Sequence, residues 1–235
     1  KKTGDTYVLV YTYRNSSWPN LRQQVGLANS SSLDGPWKTS KYNPVISPSF
    51  IPGSPNCLHA SNPSFLVDKE GKYRIYYKSI SDKPDDPNLR TISLATSENI
   101  EGPYKNYESN PIIGYTEYGL DIEDPYAFHY RNTYYILLED RRGVGNLLSG
   151  KEIDLENIHQ GGVRPALLYS SSDGYQWNRP EIGCRTNSYY FDEEVKIMER
   201  PHILWKDGKP EYLFMSLAEG RFGLGTGAVL KIGKW

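Results

Sequence analysis

The stretch "IMERPHILWKDGKPEYLF", residues 197–214, reads as a strand, a turn and a second strand. Two runs rich in apolar and aromatic residues flank Asp207-Gly208, a pairing that favours a tight hairpin turn. Its irregularity is Glu199-Arg200, an acid and a base set directly ahead of Pro201. The same layout returns in "DIEDPYAFHYRNTYYILLED" (121–140) and in "HASNPSFLVDKEGKYRIYYKS" (59–79). Either these are three turns of a scaffold or three walls of one site.

Other markers repeat with them. "QVGLANSSSLDGPW" (24–37), "TISLATSENIEGPY" (91–104) and "ALLYSSSDGYQW" (166–177) share a short strand, Ser/Thr, a turn glycine and an aromatic. Their glycines, Gly35, Gly102 and Gly174, recur roughly every 70 residues, a spacing that points to a stacked or radial repeat. "YNPVI" (42–46) and "SNPII" (109–113) repeat as well. "KYRIYYKS", "TYYILLED" and "EYLFMS" are strand-like, and no long helical period appears; "SGKEIDLENIHQGG" (149–162) reads as a loop insertion. Four strands per repeat describe propeller blades. The expectation is an all-β, five-bladed-type β-propeller, incomplete in this chain, with about four blades. Residues 1–235 form a single domain in this reading. Its first blade, starting at "GDTYVLVYT", lacks its innermost strand, and a further blade lies upstream, since closure protects the edge strands.

Composition narrows the function classes. The 235 residues carry 27 Lys plus Arg against 28 Asp plus Glu, a formal charge of −1. That balance argues against nucleic acid or an anionic membrane as partner. No run approaches the ~18 apolar residues of a membrane helix, and no signal-peptide pattern is present. Cys57 and Cys184 allow one disulfide or none, and with four His and no C-x-x-C no metal site is indicated. The 20 Tyr, 5 Trp and 6 Phe suit half-buried strands and also suit stacking on sugar rings.

In a propeller the first strands of all blades converge on the axis. Residues just ahead of each proline, Asn62, Glu123-Asp124 and Glu199-Arg200, are therefore expected to meet in one axial pocket. Carboxylates gathered from separate blades are what acid/base cleavage of a glycosidic bond requires. Each residue also has a plainer reading. Glu199 could simply pair with Arg200, and Asp124 could be an Asx-turn residue. Glu123 sits at the same offset from its proline as Glu199 and competes with Asp124. His202 is either a sugar or ion contact or a structural hydrogen-bond partner. Lys78 and Asp140, at matching offsets from Asn62 and Asp124, are either a salt bridge or sugar-hydroxyl ligands. Arg221, in "EGRFGLG", could reach the funnel rim.

"MERPHILWKDGKPEYLF" resembles the general-acid segment of glycoside hydrolase family 43, which has Glu, any residue, then Pro-His, a glycine turn and a Tyr-rich strand. "IEDPYAFHYRNTYYILLED" is similar to that family's Asp-Pro-x-x-Phe segment, and "GDTYVLVYTYR" to the run just after its catalytic-base Asp. "GPW" and "GPY" after a Ser/Thr strand are typical of the clan, which also holds families 32, 62, 68 and 117. The resemblance implies Glu199 as general acid and Asp124 as the carboxylate that tunes and orients it. Asn62, Glu123, Arg200, His202, Lys78 and Asp140 are its candidate substrate-binding residues. The base would lie ahead of Lys1. Asn62 holds the matching place in the second blade, but an amide takes up no proton at neutral pH. The implied function is an inverting glycoside hydrolase acting on plant or algal polysaccharides or oligosaccharides, extracellular or periplasmic by virtue of that substrate. No organic cofactor is implied, although the resemblance allows a calcium or sodium ion in the axial channel. The alternatives are a catalytically silent carbohydrate-binding propeller and a protein-interaction platform.

Overall fold

The computed structural model describes residues 1–14, 22–82, 88–151, 166–185, 187–191, 197–218 and 225–233. They form four antiparallel sheets, each a meander whose strands lie side by side in chain order. The first holds β1 (Lys2–Thr3), β2 (Thr6–Arg14), β3 (Gln23–Ser30) and β4 (Lys38–Thr39). The second holds β5 (His59–Val67), β6 (Tyr73–Ile80), β7 (Arg90–Ser97) and β8 (Lys105–Asn106). In the third are β9 (Ile122–Tyr130), β10 (Thr133–Asp140), β11 (Ala166–Ser171) and β12 (Glu181–Cys184), with a short helix α1 (Val144–Leu148) after β10. The fourth has β13 (Ile197–Lys206), β14 (Lys209–Ala218) and β15 (Gly225–Lys231). Such up-and-down sheets are the blades of propellers. The first strand of the first blade, β1, has only two residues, Lys2–Thr3, too few to show alternation.

The chain gathers into two compact units, residues 1–117 and 118–235, with two sheets in each. In the first unit Val8, Val25, Leu27, Phe65, Ile75 and Tyr77 form a core shared by both sheets, and β5 packs across β2 and β3. In the second, Tyr126, Phe128 and Leu137 pack with Met198, Ile203, Leu213 and Met215. Much of the tyrosine content is strand packing: Tyr76, Tyr77, Tyr134 and Tyr169 are fully buried. Cys57 and Cys184 are buried free thiols.

The Asn-Pro repeat has a definite task. Asn43 accepts from the Leu27 N–H and donates to the Leu27 carbonyl, both at 2.9 Å. Asn110 does the same for Leu94, at 2.8 and 2.9 Å. Each amide side chain thus continues the ladder where the outer strand is only two residues long. Replacing Asn110 with Ala is expected to lower stability by about 1–3 kcal/mol, because it strands the Leu94 N–H, while the Leu94 carbonyl keeps its bond from the Tyr107 N–H at 2.8 Å. The shift in the urea midpoint measures this. A loss below about 0.5 kcal/mol would mean that water takes over the bond to the Leu94 N–H.

Candidate active site

Each proline-marked strand carries the same distortion. The ladder slips between Ser61 and Ser64 on β5, between Glu123 and Tyr126 on β9, and between Glu199 and His202 on β13. The two residues that drop out are in every case X-Pro: Asn62-Pro63, Asp124-Pro125 and Arg200-Pro201. Proline has no N–H to give the ladder, so a bulge is where a strand tolerates it. The residue before it takes a left-handed backbone, with φ of 48° at Asn62, 55° at Asp124 and 57° at Arg200. Asn and Asp accept that conformation at small cost, whereas Arg does so less readily. A strained non-glycine residue held in a bulge is the kind of feature that re-aims a side chain at a site.

In the second unit the bulges assemble a carboxylate cluster. Oxygens of Asp124, Glu139 and Glu199 lie within 4.8 Å of one another. Asp124 and Glu139 are buried, and the Glu199 side chain is 26% exposed. Arg200 bridges them: its Nε donates to Glu199 Oε1 at 3.1 Å and stands 3.8 Å from Asp124 Oδ2. Burial works hardest against the Arg200 charge, but Asp124, then Glu199 and Glu123, outweigh it and hold its pKa above the ordinary value. The Arg200 side chain is 67% exposed, so the cluster opens to solvent on that side.

A second layer lies behind the first. Glu123 and Glu139 stand directly opposite in the β9/β10 ladder, a like-charge pairing that destabilises a sheet unless it is neutralised. Arg141 does so, its Nη1 bonding Glu123 Oε1. Asp121, fully buried, sits 3.9 Å from Arg141 Nε and 3.3 Å from Arg142 Nε. For Arg141, too, the burial cost is outweighed, first by Glu123 and then by Asp121, and its pKa is raised.

Several sequence candidates have other tasks. Asp140 was a candidate sugar ligand, but its oxygens accept from Val144 N at 2.8 Å and Gly145 N at 2.7 Å and anchor the start of α1. Side chains alternate along a strand, so Asp140 points away from the face that Glu139 serves. Burial pushes its carboxyl above the ordinary carboxylate value, with the backbone donors only partly offsetting this. Lys78 is not its counterpart either. Lys78 faces Ser61 and Glu139 faces Glu123, so Lys78 and Glu139 share a register position. The sequence offset misleads because the two hairpins have turns and arms of different length. His202 packs edge-on to Tyr126, ring centroids 4.6 Å apart, as in a structural contact. Asn62 is the bulge residue of β5, and its N–H donates to Thr12 Oγ1 at 2.8 Å. Arg221 and most of the 149–162 loop lie outside the described residues. Sequence reasoning missed Glu139, Asp121, Arg141 and Arg142. The available signal was "LLEDRR", four consecutive charges ending an apolar strand.

Three close carboxylates invite the question of a cation. Calcium takes six to eight oxygens, and here a guanidinium already stands against two of the three acids. The residues do not fit a metal ion while Arg200 is in place. A crevice of about 500 Å³ in the same unit, lined by Leu137, Leu168, Ile182, Ile203 and Leu213 among others, contains none of these carboxylates.

No known family's sequence profile matches the chain, and no curated protein resembles it in sequence. Solved structures do resemble it. A glycoside hydrolase superposes with a TM-score of 0.71 at 13% identity, covering 97% of this chain and 63% of its own. A family 32 β-fructofuranosidase from Bombyx mori gives 0.65 at 18% identity, covering 96% and 43%. A xylan β-1,4-xylosidase from Bacillus halodurans gives 0.61 at 17%, covering 99% and 40%. At such identities the likeness is one of fold: four blades, consistent with an incomplete five-bladed propeller of the type these glycosidases share. The chain spans under two thirds of the length of each of these three structures.

Proposed function

We propose that the chain is the acid-bearing part of a glycoside hydrolase acting on plant or algal oligosaccharides or polysaccharides. One observation carries this reading: the convergence of Asp124, Glu139 and Glu199 within 4.8 Å at one partly open place. Carboxyl groups gathered at one partly open place are the groups that acid/base cleavage of a glycosidic bond uses. Glu199, the most exposed of the three, is the acid that protonates the leaving oxygen. Asp124, buried against it, orients it and supplies the neighbouring negative charge. Arg141 and Arg142 keep the acids behind them compatible with a folded sheet.

Arg200 sets a condition on this chemistry. It occupies Glu199 Oε1 at 3.1 Å, so the acid must exchange that hydrogen bond for one to the glycosidic oxygen. The guanidinium is mostly in solvent and has room to leave. By the resemblance to family 43, the reaction is inverting, with a water-activating carboxylate opposite the acid. Secretion to the exterior or the periplasm goes with that substrate. The rival reading, a propeller that binds sugars without cleaving them, is favoured by the same Arg200 contact.

A panel of aryl arabinofuranosides, xylosides and galactosides, assayed on the full-length protein with product anomers followed by NMR, tests the reading. Release of the inverted anomer from at least one class is expected. Saccharide binding with no cleavage of any member would establish the silent propeller instead.

A further inference from the structure

The first unit carries a basic counterpart to this acidic cluster. Arg14 ends β2 opposite Gln23, and Arg22 immediately precedes β3. His59, the first residue of β5, faces Ile80 at the end of β6, and Ile80 faces Arg90 at the start of β7. Lys78 lies two residues back along β6, on the same face and buried. The ladders therefore deliver all five basic residues to one rim of the unit. The clamp is His59, whose Nδ1 accepts the Gln23 N–H at 3.1 Å, which leaves the neutral ring's proton on Nε2.

The field at this rim is positive. Burial first, then Arg22, Lys78, Arg14 and Arg90, push the His59 pKa down to about 4. Among the described residues, Asp82 is an exposed acid that feels the Arg22 charge and accepts the Gly53 N–H at 2.8 Å. Ser61 and Lys78 hold the register positions that Glu123 and Glu139 hold in the second unit, so one repeat has been built with both signs of charge.

We propose that this rim is an anion-binding site that takes the carboxylate or sulfate group of an acidic saccharide. Arg22, Arg14 and Arg90 supply the exposed and half-exposed charge, and Lys78 the buried charge. His59 Nε2–H offers a neutral donor beside them. Guanidinium groups match carboxylate and sulfate oxygens in pairs, which an ammonium cannot do. That the anion is carried on a sugar rests on the glycosidase reading above; that the rim binds anions does not.

The test is titration of the 235-residue chain with galacturonate, galactose and inorganic sulfate, following the His59 ring by NMR and affinity by calorimetry. Galacturonate is expected to bind at least about tenfold more tightly than galactose, a difference of ~1.4 kcal/mol, and to weaken as salt rises. A bound anion offsets the surrounding cations, so the His59 midpoint should climb from about 4 toward the ordinary 6.5. Arg22→Ala and Arg90→Ala should each weaken galacturonate binding and leave galactose unaffected. Equal affinity for galactose and galacturonate, or an unmoved His59 midpoint at saturation, overturns the site. Sulfate binding as tightly as galacturonate overturns the saccharide part and leaves a general anion site. Cleavage of neutral glycosides with no galacturonate binding would refute this inference and spare the hydrolase. Galacturonate binding by the chain, with no glycoside cleaved by the full-length protein, would do the reverse.

Discussion

Replacing Glu199 with Gln is expected to reduce turnover of alkyl glycosides by about 10²–10⁴-fold, the range that general acid catalysis supplies. Saccharide binding should stay within a few-fold of the parent. The amide is isosteric, keeps an oxygen for Arg200 Nε, and sits at a side chain already 26% exposed, so folding should be undisturbed. The informative readout is the leaving group. A dinitrophenolate departs without a proton, whereas a sugar or alkoxide does not. The variant should therefore lose far more activity on poor leaving groups than on good ones. An equal loss on both would reassign Glu199 to binding or structure, and undiminished turnover would remove it from the reaction.

The second large effect is structural. Arg141→Ala should cost about 3–5 kcal/mol, the usual result of removing one partner from a buried ion pair. Asp121 and Glu123 have side chains 0% and 8% exposed, and they would lose the Arg141 guanidinium in a place that water reaches poorly. Adding Glu123→Gln to Arg141→Ala should recover part of that loss, since the like-charge pairing with Glu139 disappears as well. A double-mutant cycle on denaturant midpoints measures the coupling. Additive costs would show that Arg141 acts through packing of its stem and not through its charge.

The four-sheet, all-β architecture was legible in the chain. Tyr- and Ile-rich runs such as "KYRIYYKS" and "TYYILLED" name their own strands, and the Gly-Pro and Asn-Pro markers give the period. So were two of the three clustered acids, because Asp124 and Glu199 each stand close to a proline that sequence shows directly. Glu139 was not legible. Nothing in "ILLED" says which acid faces the bulged strand, since that depends on the slip between Leu137 and Glu139. Asp140 lies on the other face from Glu139 for the same reason: one residue along a strand turns the side chain over.

By itself, then, the sequence determined what local chemistry can specify: alternation, turn residues, and the proline that forces a bulge. Tertiary structure alone decided which charges meet. Arg200 against Glu199 and Asp124, Arg141 against Glu123, and Arg22 beside His59 are products of ladder register and of packing between neighbouring sheets. The reason is physical: a side chain's direction is local, but its neighbour across a sheet is fixed by bulges and turn lengths summed over dozens of residues.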